Sequence, residues 1–95
     1  MQAELQSRLK KYFECTRRAL YKVKIASEKK IEWRKTADDF LDMARRYFED
    51  AKHFEKKGDL LTAFAALNYA HGWLDAGARL GLFDVEHDSE LFAVD

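Results

Sequence analysis

Residues 58–81 read GDLLTAFAALNYAHGWLDAGARLG, and how this stretch is read decides the fold. It predicts one helix over about residues 59–80, with glycine at either end. Asp59 is a favoured N-cap, because its carboxylate accepts hydrogen bonds from first-turn N–H groups that lack a partner inside the helix. Its charge also suits the positive end of the helix dipole. Gly81 can take the left-handed conformation that closes a helix. Between them Leu60, Phe64, Leu67, Tyr69, Trp73, Leu74 and Leu80 make the helix apolar around most of its girth, the pattern of a helix buried on more than one side. Ala63, Ala66, Ala70 and Gly77 form a groove of small residues that another backbone or a large side chain can enter. Gly72 and Gly77 each cost about 1 kcal/mol against alanine in a helix interior, a cost that close packing offsets.

The segment before this helix supplies its complement. Trp33, Ala37, Phe40, Leu41, Ala44, Tyr47, Phe48, Ala51 and Phe54 make one apolar face of a helix expected over about residues 28–57, started by Ser27 and ended by Gly58. The two-residue link Gly58-Asp59 turns the next helix back, so facing residues should have numbers summing to about 117. That sets Phe54 by Ala63, Ala51 by Ala66, Tyr47 by Ala70, Ala44 by Trp73 and Phe40 by Gly77, large against small at most levels.

Further out, residues 2–25 predict an amphipathic first helix with Leu5, Leu9, Tyr12, Thr16, Ala19 and Val23 at spacings of four and three. Cys15 borders this stripe and reads as a small buried hydrophobe. The break falls at residues 26–30, ASEKK. The alternative is one continuous helix to Lys57, about 80 Å long and in need of a partner. Beyond Gly81, Leu82-Phe83-Asp84-Val85 is echoed by Leu91-Phe92-Ala93-Val94, which predicts a tail over 82–95 that docks on the helices twice; the alternative is a peptide offered to a partner. The fold expected is all-α: a three-helix bundle, one domain over residues 1–95, with a tight antiparallel helix 2–helix 3 hairpin, helix 1 packed across it and the C-terminal tail packed on it.

Composition agrees. Hydrophobic residues at 47% and charged ones at 36% describe a globular chain rather than a disordered one. No proline, four glycines and no alternating strand pattern argue against a β-fold. A single cysteine leaves no intrachain disulfide and no cysteine-based zinc site. With no signal peptide and no apolar run of membrane length, the expectation is a cytoplasmic protein that does not enter membranes. The net charge of zero hides an imbalance: residues 1–30 carry nine basic and three acidic side chains, whereas residues 58–95 carry one basic and seven acidic. The two ends can attract each other within the fold or between subunits, or the basic first helix can contact phosphate backbones.

The runs FLDMARRYFEDAKHF (40–54), KGD (57–59) and YAHGWLDAG (69–77) resemble the archaeal family known as domain of unknown function 357 over roughly residues 36–85. The resemblance implies a small archaeal helical bundle and brings no activity, substrate or catalytic residue. The hairpin is also similar in pattern to tetratricopeptide-type helix pairs, but one pair makes no solenoid.

Two constellations are candidates for function. Asn68, His71, Asp75 and Arg79 fall in one narrow stripe of the third helix, with His71 and Asp75 four residues apart and Asp75 and Arg79 likewise. They read either as a recognition surface or as the solvent-facing polar residues any helix carries. Arg46 and His53, two turns apart, have a spacing similar to that of helical ribonucleases of the HEPN superfamily, although Glu49 and Asp50 between them would repel phosphate. His53, His71 and His87 lack metal-ligand spacing, and no phosphate-binding glycine loop is present, so neither metal nor cofactor is expected. The function expected is a non-catalytic protein-interaction or assembly module, with a protein partner or itself as a homodimer. The alternative is a nucleic-acid-binding domain using the basic first helix, with a HEPN-like ribonuclease as its catalytic form.

Overall fold

The computed structural model describes residues 2–93. Three helices follow one another: α1 (Gln2–Lys22), α2 (Trp33–Lys56) and α3 (Leu60–Leu80). The chain is all-α, with α2 and α3 in a tight hairpin and the tail folded over α3, as expected.

The hairpin turn is built from two helix ends. At the end of α2, Gly58 takes φ +80°. Its N–H donates to the carbonyl of Glu55 at 3.0 Å, and the Asp59 N–H donates to that of Phe54 at 3.0 Å. This is the double hydrogen bond of a left-handed glycine terminator. Asp59 then caps α3, its carboxylate accepting from the Thr62 N–H at 3.1 Å. Hydrogen bonding by the Thr62 side chain and backbone, helped by the charge of Arg8, holds the Asp59 carboxyl below its ordinary value of 3.8. Gly81 (φ +82°) repeats the terminator, with Leu82 N–H donating to Gly77 O at 2.8 Å and Gly81 N–H to Ala78 O at 3.1 Å.

Small residues fill the seam between α2 and α3. The buried side chains are Ala44 and Ala51 on α2 and Ala63, Ala66 and Ala70 on α3, with Gly77 also buried. Methyl-sized residues let the two backbones approach closely, and rings close the flanks. Phe40 meets Trp73 edge-on at 5.0 Å between centroids, and Tyr47 meets Tyr69 at 4.4 Å. The register sums for these pairs are 113 and 116, close to the expected 117. One facing pair differs. The hollow at Gly77 was assigned to Phe40, but it is occupied by Phe83 of the tail, whose ring lies where a Gly77 Cβ would stand. Phe40 turns to Trp73 instead.

The first helix departs furthest from expectation. α1 stops at Lys22 rather than near residue 25, and α2 starts at Trp33 rather than near residue 28, so ten residues are non-helical. This excludes the continuous helix. The intervening Val23, Ile25 and Ile31 are β-branched and lose rotamer freedom in a helix, and Ile25 is fully exposed, so no packing offsets that cost. Ser27 caps nothing; Glu32 stands at the N-cap of α2 without a side-chain cap bond. α1 does not lie across the hairpin. It meets the hairpin at the turn, where Arg8 Nη1 donates to Thr62 Oγ1 at 3.3 Å and Leu5 neighbours Leu60 and Leu61. No residue of α1 is buried, and Cys15, expected to be buried, is exposed.

The dimensions reflect this. The radius of gyration is 16.0 Å, against about 12 Å for a compact chain of this length. The accessible surface is 8800 Å², about 3000 Å² more than a compact monomer of this mass exposes.

Candidate functional site

The site begins with the polar stripe of α3. The small residues turn one side of the helix to α2, and at 100° per residue the stripe falls on the opposite side. His71 and Arg79 are exposed and Asp75 is half-buried. His71 Nε2 lies 3.6 Å from Asp75 Oδ1, one helical turn away.

The tail meets this pair. The carbonyl oxygen of Leu91 lies 2.5 Å from His71 Nε2, which donates to it when the proton is on that nitrogen. Two residues on, the Ala93 N–H donates to Asp75 Oδ1 at 2.9 Å. Between these bonds the Phe92 ring stands over the imidazole, 6.2 Å between centroids and tilted by 32°. Residues 89–92 form a turn in which Phe92 N–H donates to Asp88 O at 3.1 Å, and this turn presents the Leu91 carbonyl and the Ala93 N–H to α3 together. An imidazole N–H and a carboxylate one helical turn apart therefore grip a tripeptide through its main chain, and its central side chain adds an aromatic contact.

The tail reaches His71 by a strained route. After Phe83 fills the hollow at Gly77, the chain reverses at residues 85–88, with Asp88 N–H donating to Val85 O at 3.0 Å. The two central residues, Glu86 (φ +52°) and His87 (φ +58°), are both left-handed without being glycine. A turn of this kind prefers Asn-Gly, and each non-glycine residue in it costs on the order of 1 kcal/mol. Asp84 Oδ1 accepts from Glu86 N–H, and Asp88 Oδ1 accepts from the N–H groups of Glu90 and Leu91, each at 3.1 Å. These short-range bonds, with Phe83 at one end and Phe92 at the other, hold the reversal.

The other sequence candidates are not gathered here. Asn68 is exposed beside Gly72 and Trp73, away from the tail. Arg79 lines the depression under Val85, Glu86 and His87. On α2, Arg46 is held by Asp42 at 2.9 Å, and the His53 ring stands edge-on to Phe54 at 5.5 Å; no contact joins Arg46 to His53. Among the described residues no group of three or more His, Cys, Asp or Glu is placed to hold a metal ion, and no helix is long and apolar enough to cross a membrane. What the sequence does not reveal is the occupant of the stripe: His71 and Asp75 and the second Leu-Phe cluster of the tail are two halves of one contact.

The family comes from the sequence match. The pattern of the family described as Protein of unknown function (DUF357) matches residues 11–83. The chain belongs to this family. The DUF357 segment takes in most of α1, the hairpin and Phe83, and it stops before the residues that His71 and Asp75 hold. Neither the curated proteins nor the solved structures contain a match to the chain.

Proposed function

We propose that this protein is a non-catalytic interaction and assembly module whose partner is a second copy of itself. The observation that carries the reading is the bare apolar stripe of α1. Leu9 is 54%, Phe13 61% and Leu20 71% exposed. Most helical stability in proteins comes from packing an apolar face rather than from helix propensity. On α3, Leu60, Phe64 and Leu67 are also exposed, and they run along the helix ahead of the part the tail covers.

Charge selects the partner. The basic helix does not lie on the acidic α3–tail half of its own chain, whereas a second copy offers that half with the matching sign. The area is sufficient: stable interfaces bury about 800 Å² per partner, well within the roughly 3000 Å² by which this chain exceeds a compact monomer. Sedimentation equilibrium at high micromolar concentration should give twice the 11.1 kDa chain mass; the chain mass throughout would overturn the reading.

A second reading draws on the same helix. Lys10, Lys11, Arg18 and Lys22 have no ion-pair partner among the described residues, and a basic helix attracts phosphate backbones. A gel shift with RNA or duplex DNA that weakens steeply with salt would favour it over self-association.

A further inference from the structure

The contact between the stripe and the tail carries an inference that does not depend on whether two copies associate. We propose that His71 and Asp75 form a peptide-binding clamp, and that residues 91–93 occupy it as a resident, displaceable competitor. The ligand class is a short peptide in which an acidic residue caps a turn and an aromatic residue follows four positions on, as Asp88 and Phe92 do in the tail.

Three observations carry this. Both tail groups that His71 and Asp75 hold are main-chain groups, a carbonyl and an N–H two residues apart, which any peptide forming the same Asp-capped turn presents. The side-chain selection is a single aromatic contact, Phe92 over the imidazole. And the resident segment is seated under strain, because it reaches the clamp only through the left-handed pair Glu86-His87. A tether of about ten residues from Gly81 places Leu91 at an effective concentration in the millimolar range. The strained reversal lowers the advantage the tether confers, so an outside peptide can compete.

The test uses the full chain and a fluorescent peptide of residues 88–93, DSELFA, followed by anisotropy. Ala93→Pro removes the N–H that Asp75 accepts, and Phe92→Ser removes the aromatic contact; each should free the clamp. Faster protease cleavage within residues 88–93, which needs the tail lifted from α3, shows that release has occurred. Released variants should bind the peptide about tenfold more tightly than wild type. Glu86→Asn with His87→Gly supplies the residues the reversal prefers and should weaken peptide binding below wild type. Adding His71→Ala and Asp75→Ala to a released variant should abolish binding. The proposal is overturned if a variant with a freed tail binds the peptide no better than wild type, or if its binding survives loss of both clamp residues.

Discussion

Gly72 and Gly77 lie five residues apart on the same helix and should respond oppositely to alanine. A Cβ at Gly72 would meet nothing within 4 Å, so Gly72→Ala should raise unfolding stability by about 1 kcal/mol through helix propensity alone. At Gly77 the same methyl would enter the Phe83 ring. Gly77→Ala should forfeit that gain and release Phe83, giving a lower urea midpoint than Gly72→Ala and faster protease cleavage in the tail. Asp59 yields a prediction in pH. Its folded carboxyl titrates below its ordinary 3.8, so its contribution to stability is present above that value and is lost as pH falls through the folded one. Asp59→Asn keeps a capping oxygen but has no charge to lose. The stability difference between wild type and variant should therefore be constant above pH 5 and shrink below pH 4, as thermal melts across that range would show.

At the scale of the element, the α2–α3 seam is the feature most open to engineering. Because its buried side chains are alanines, added volume has nowhere to go. Ala66→Leu should cost about 1–3 kcal/mol by forcing the helices apart, whereas Ala65→Leu, at the exposed position just before it, should be nearly neutral. Urea unfolding of the two variants makes the comparison. This seam was legible in the sequence, because Ala63, Ala66, Ala70 and Gly77 fall on one line of a helix and Ala44 and Ala51 answer them across a two-residue turn. The position of α1 was not. Periodicity shows that Leu5, Leu9 and Tyr12 share a face, but it carries no information on what covers that face. The site was half legible: the spacing of His71 and Asp75 placed them together, and the repeated Leu-Phe cluster predicted docking. Their meeting depends on a reversal at Glu86-His87, residues with no turn signature in sequence.

For the whole molecule, the decisive experiment separates assembly from folding. Leu9→Asp with Phe13→Asp places charge on the bare stripe of α1, far from the hairpin seam. The double variant should sediment as the 11.1 kDa chain and retain the ring pairs Phe40–Trp73 and Tyr47–Tyr69, seen as ring-current-shifted resonances. Loss of those resonances would place α1 in the fold of the hairpin itself. In the proposed pair of copies, the ten residues between α1 and α2 would set how it closes. Fully extended they span about 35 Å, enough for α1 to fold back on its own hairpin or to cross to a neighbour's. A spacer cut to three or four residues would bar the return path and leave only the crossing, so one deletion would convert a reversible association into an interlocked exchange, with both copies bound to unfold together.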